Sequence, residues 1–211
     1  MALLKKKPWR AVDKIGITAR DEKPDGLPSL GRRGTHCNMI AKAREGRVFY
    51  AESVNYSCEF AKYTLGLTRD ASAFERFRPE ELLGIKNALK TDVPNRILEA
   101  TPQLPEGNKY MVFFPLKEMP LEPDVVVLIG RPVDIMDIVW EITTRTGERI
   151  EAHIGAIGAM CGELTVAPLV TGKPNLSVGC CGSRRFGKLQ RDEIMLSLPW
   201  AMYRQLFDGA K

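Results

Sequence analysis

An α/β fold, a single domain with a mixed β-sheet flanked by helices, is what the sequence predicts, and three observations predict it. The run Asp124 to Gly130, "DVVVLIG", is apolar almost throughout, as a sheet centre covered on both faces must be. Gly130-Arg131-Pro132 ends that strand, and Ile135, Ile138, Val139 and Ile142 follow at helical spacing, with Pro132 suited to a first turn. At 211 residues the chain is long enough for one well-buried core.

The remaining elements follow in order. Residues 1–34 are rich in charge, Pro and Gly and show little periodicity, so they are predicted as an irregular N-terminal arm, with the single domain occupying residues 35–211. "HCNMIAKAREGRVFYAES" predicts a strand or short helix into Ala41, a Glu45-Gly46 turn, and a strand Arg47 to Ala51. Ser57 is a candidate N-cap for a helix carrying Cys58, Ala61, Tyr63 and Leu65 and closed by Gly66. A helix is predicted over Pro79 to Leu89, then a proline-punctuated linker through Pro105 and a strand Lys109 to Leu116. The small-residue stretch "AHIGAIGA" lets another element or a ligand approach closely. A strand Leu176 to Val178 delivers Cys180 at its end, and Arg191 to Phe207 is predicted as mostly helical with Pro199 as a break.

Composition excludes several classes of function. No apolar stretch approaches the ~20 residues that cross a bilayer. "MALLKKKPWR" lacks the apolar segment of a secretory signal, which makes the cytoplasm the expected compartment. The net charge of +5 is spread along the chain, and no RNA-recognition, zinc-finger or helix-turn-helix pattern accompanies it, so no nucleic acid and no membrane is expected as a partner. "TGKPN" lacks the glycine spacing of a P-loop, and "GCCGSRRFG" is not a dinucleotide fingerprint.

The chemistry lies with five cysteines, an odd count in a chain expected in a reducing compartment. Cys37, Cys58, Cys161 and the pair Cys180-Cys181 each lie beside a turn, a glycine or a helix start. Thiolates at such places can converge into a zinc or iron-sulfur site. Their spacing does not decide the matter: twenty residues separate Cys37 from Cys58 and eighteen separate Cys161 from Cys180, unlike a zinc knuckle or a ferredoxin run. Burial as small hydrophobes is the competing reading. His36 and His153 are candidate fourth zinc ligands, against the plainer role of histidines hydrogen-bonded within the fold. Lys173, Arg184 and Arg185 are candidates to bind an anionic substrate or to offset the charge of a thiolate-ligated cluster, against simple solvation. Asp192 and Glu193 are placed at the start of the last predicted helix, and no Ser/His/Asp arrangement is evident.

The order "HCNMIAKAREGRVFY", "NYSCEFAKYTLGL", "KYMVFFPL", "PDVVVLIGRP", "GAMCGELTVAPLVTGKPNLSVGCCGSR" and "RDEIMLSLP" resembles the uncharacterised domain of unknown function 169 (DUF169) family of archaea and anaerobic bacteria, over about Thr35 to Pro199. The N-terminal segment "LPSLGRRGTHC" departs from the strand common there. The resemblance implies four family cysteines, which fall here on Cys37, Cys58, Cys161 and Cys180, leaving Cys181 as the extra one. With that set the expected cofactor is an iron-sulfur cluster, [4Fe-4S], serving electron transfer or a redox step on an anionic small molecule. The alternative is a non-catalytic ligand- or zinc-binding module. A redox partner protein is the other expected partner.

Overall fold

In a computed structural model the protein is described over residues 10–70 and 93–207. Its centre is a six-stranded sheet in the order β2-β3-β1-β4-β6-β5. The strands are β1 (Asp13–Arg20), β2 (Phe49–Glu52), β3 (Tyr110–Pro115), β4 (Val125–Gly130), β5 (Asn175–Ser177) and β6 (Ile194–Pro199). Every ladder between them is antiparallel. Parallel pairing enters through the isolated bridges Ser29–Tyr50 and Gly34–Tyr56.

The β4 register shows why its run is apolar without alternation. Val125, Val127 and Ile129 face one core, while Val126 and Leu128 face the other, and all five are buried. On the first face lie α1 (His36–Arg44), α2 (Glu59–Thr64) and a π-helix, Ala159–Val166. On the second lie α4 (Pro132–Thr146) and α7 (Trp200–Phe207). The described residues also form the shorter helices α3 (Val93–Ala100), α5 (Ala167–Thr171) and α6 (Cys181–Arg185) and a 3-10 turn at Ser53–Asn55. Arg131 caps α4, Pro132 opens it, and Gly147 closes it with φ +74.

Two sequence expectations are corrected. The arm over residues 1–34 contains β1, which pairs with both β3 and β4 and so runs through the middle of the sheet. Its "DKIGITAR" is a short alternating strand: Ile15 and Ile17 are fully buried on the face of α1. The signal was masked by Gly16, a residue normally depleted from strands. Here glycine is required, because a Cβ at position 16 would collide with the Phe114 ring on the neighbouring strand. The second correction concerns Arg191 to Phe207, where the chain forms β6 before α7. Met195 packs into the first core and Leu196 and Leu198 into the second, so a strand buried on both faces mimicked a helical pattern. Pro199 ends β6 rather than kinking a helix.

Cys58 itself is the N-cap of α2, in place of Ser57. The linker predicted before Pro105 includes α3. The helix predicted over Pro79 to Leu89 lies outside the described residues. No helix among the described residues is long and apolar enough to cross a membrane.

Candidate functional site

Four helix starts converge on the first face of the sheet, and each carries a cysteine. Thr35 caps α1 by accepting a hydrogen bond from the Asn38 amide at 3.1 Å, which places Cys37 in the first turn. Cys58 caps α2. Gly158, at φ +67, starts the π-helix, with Cys161 in its first turn. After β5 the chain turns at Gly179 (φ +89), so Cys180 is not the end of a strand but the N-cap of α6. Its amide donates to Ser183 Oγ at 2.7 Å while its sulfur accepts from the Ser183 amide at 3.4 Å. A helix start presents unpaired N–H groups and favours negative charge nearby. Four of them around one space make that space suited to thiolates.

Cys37, Cys58, Cys161 and Cys180 all line one cavity, of about 90 Å³, walled by Phe60, Ile157 and Phe186 and otherwise almost without polar groups. Cys181 lines it too, so the turn into α6 brings both members of the adjacent pair to the cavity. All five cysteines are free. The Sγ atoms of Cys37 and Cys180 lie 3.7 and 3.6 Å from the point where a side chain on Gly182 would begin. Gly158 belongs to the same wall, since a Cβ there would meet the Phe60 ring and lie 3.5 Å from Cys161 Sγ.

The thiols are not equivalent. Cys180 is lowered to about 5, first by the hydrogen bond from Cys37 and then, against its burial, by the amides of Ser183 and Ala159. Cys37 is pushed well above its usual range by the same bond and by burial, so the pair retains one proton after its first ionisation. Burial pushes Cys161 and Cys58 up, and each is raised further by the other sulfurs or by Glu59. Mutual repulsion among these thiolates is what a cation between them would remove. Among the described residues, no three His, Cys, Asp or Glu groups gather as a single metal ion requires. The four sulfurs instead surround a space.

His36 sits in the wall in a structural role. Thr165 Oγ1 donates to Met160 O at 2.8 Å, so it accepts from His36 Nε2 at 2.9 Å, while Nδ1 meets the Tyr56 hydroxyl at 3.3 Å. Burial of the ring lowers its pKa to about 3, against the upward pull of the Met160 carbonyl. His153 is exposed.

The three predicted cations divide. The Arg184 guanidinium donates to the carbonyls of Val178 at 3.0 Å, Glu193 at 3.2 Å and Gln190, bracing the loop that presents Cys180. Exposed Arg185 lies over the Phe186 ring at 5.4 Å, and its charge acts downward on the Cys181 thiol, which burial raises. Lys173 is exposed in the turn after α5, and it is not among the cavity's lining residues.

Sequence reasoning missed Glu163. Its Oε1 accepts from the amides of Gly155 at 2.7 Å and Ala156 at 3.1 Å, and its Oε2 from the Ser177 hydroxyl. It thereby ties down Gly155 and Ala156, and Ala156 with Ile157 and Gly158 forms one wall of the cysteine cavity. The signal was available: one acid stands in the otherwise apolar "AMCGELTVAPLV".

The family profile described as Uncharacterised ArCR, DUF169, matches residues 6–209. An uncharacterized protein of Methanocaldococcus jannaschii is 28% identical over 188 residues, covering 86% of this chain and 78% of that protein. No solved structure matches.

Proposed function

We propose that this chain, which belongs to the DUF169 family, holds a [4Fe-4S] cluster on Cys37, Cys58, Cys161 and Cys180 and uses it for electron transfer or for a redox step on an anionic small molecule. One observation carries the reading: four cysteines distant in sequence stand at four helix starts around one apolar cavity. Such a cluster takes four thiolates, one to each iron, and so spaces its ligands more widely than a single zinc ion does. Its negative charge is offset by backbone N–H groups at the helix starts, and the apolar wall limits water access, which tunes potential. The cluster would supply one-electron chemistry; the protein's part is to hold the four sulfurs, shield them and keep Cys180 ionised for ligation. The cytoplasm is the compartment that suits free thiols.

The test is metal and sulfide analysis of protein purified without oxygen. Iron and acid-labile sulfide, about four of each per chain, with broad absorption near 400 nm, is the expected result. Stoichiometric zinc would favour a zinc-binding module, and protein with neither metal would sink the cluster.

A further inference from the structure

We propose that a second cavity, behind the wall of the cysteine cavity, binds a small primary amine with an apolar tail, its ammonium resting on the Glu163 carboxylate. The inference goes beyond the cluster reading and does not depend on it. The cavity, of about 220 Å³, lies between the C-terminal end of α3 and the segment 153–157. Ile157 lines both spaces, while Ala156 and Gly158 line the cysteine cavity and Ile154 and Gly155 the second one. The π-helix serves both as well, with Cys161 lining the first and Glu163 the second. Such helical turns are rare and recur at functional sites.

The second cavity is one-sided in charge. Its walls are mostly apolar, Glu163 is the one carboxylate among its lining residues, and no Lys or Arg lines it. Glu163 is only 4% exposed, and no ion pair reaches it among the described residues. The amides of Gly155 and Ala156 fill the two acceptor sites of Oε1, and the Ser177 hydroxyl fills one of Oε2, which leaves Oε2 one more. A buried carboxylate met by dipoles alone is costly, and a cation is what offsets it. A single open acceptor site suits an ammonium, whereas a guanidinium seeks two.

The walls are held in place by buried polar groups. Ala156 has φ +54°, a conformation that costs energy in a residue with a side chain and persists only where the surroundings enforce it. Buried Asn175 assists Glu163 in enforcing it: its Oδ1 accepts from the His153 amide at 2.7 Å, and its Nδ2 donates to the carbonyls of His153 at 3.2 Å and Glu163 at 2.8 Å. Across the cavity, the end of α3 sits close on the π-helix at Gly162, where a Cβ would come within 2.7 Å of the Thr101 methyl group. Both walls are therefore positioned against the helix that carries Glu163.

The probe is hexylamine, titrated by calorimetry at about pH 7.5, where it is an ammonium, beside hexanol and hexanoate, which carry tails of similar length. Hexylamine should bind about tenfold or more tighter than hexanol, and hexanoate should not bind. Methyl NMR should locate it: Ile97 and Ile154 shift, while Ile135 and Ile138 on the other face of the sheet do not. Glu163→Gln removes the charge but keeps an acceptor for the 155 and 156 amides, so hexylamine should fall to the level of hexanol. Ala100→Trp, at an exposed position on the cavity wall, should fill the space and abolish binding of both, and it keeps the test decisive if Glu163→Gln does not fold. Circular dichroism checks each variant. Hexanol or hexanoate binding as tightly as hexylamine, no binding of any of the three, shifts that spare Ile97 and Ile154, or hexylamine binding unchanged in either folded variant overturns the proposal. Iron content does not enter the readout, so failure of the cluster reading leaves this result standing.

Discussion

Cys37 of α1 and Cys180 at the cap of α6 bring their sulfurs to the same point, 3.7 and 3.6 Å from where a side chain on Gly182 would begin, and so join two helix starts far apart in the chain. Of the two, Cys180 is the one whose pKa falls, first through Cys37 itself. Cys180 also faces the amides of Ser183 and Ala159, which stabilise its negative charge.

In metal-free protein Cys180 should therefore behave as a thiolate far below the usual thiol range of about 8.5. Alkylation by iodoacetamide, followed residue by residue by mass spectrometry, should show a midpoint near 5 for Cys180. In Cys37→Ala that midpoint should rise, because the largest cause of the depression is gone. An unshifted midpoint would dissociate the two sulfurs.

Cys180→Ala should abolish iron and sulfide content, and Cys181→Ala should retain both. The cavity receives both residues, but Cys180 is the cap whose sulfur accepts from the Ser183 amide and whose pKa falls, whereas burial leaves the Cys181 thiol raised. The reverse pattern would move the ligand role to Cys181 and leave the cavity assignment standing.

Arg184→Ala should release the loop before α6, since three carbonyls lose their shared donor. The expected cost is about 1–3 kcal/mol in denaturant unfolding, with faster loss of cluster colour in air. Arg185→Ala, at an exposed position, should change stability by less than about 0.5 kcal/mol.

His36 makes stability fall in acid. Its folded pKa is about 3 against the usual histidine value of 6.5, so the unfolded chain binds the proton first as pH drops. Between pH 7 and pH 4 this should remove about 3 kcal/mol of stability. His36→Gln should be less stable at pH 7 but should lose less on acidification, as read by urea midpoints at both pH values.

Glu163 works in the other direction. Burial raises its pKa against the pull of Ser177, Gly155 and Ala156, so the folded state holds its proton more tightly, and stability falls as pH rises from 4.5 through the folded value. Glu163→Gln should lack that slope while keeping an acceptor for the 155 and 156 amides. Glu163→Ala should loosen the wall and speed cluster loss.

The layered α/β class, the central strand β4, the helix behind Pro132 and the four cysteine positions were all legible in the sequence. Each rests on local pattern: an unbroken apolar run must be buried on both faces, and thiols beside turns lie where elements end. β1 and β6 were not legible, because their pattern depends on neighbours. Gly16 is acceptable mid-strand only because the Phe114 ring fills the space above it, and β6 resembles a helix until its two faces are assigned to two cores. The same limit governs the site. Spacing alone left burial, zinc and iron-sulfur open, because convergence is a property of four helix starts placed by the sheet. Only the tertiary structure decided that Cys37 meets Cys180 and that Glu163 ties the cavity wall, for each depends on contacts between segments apart in the chain.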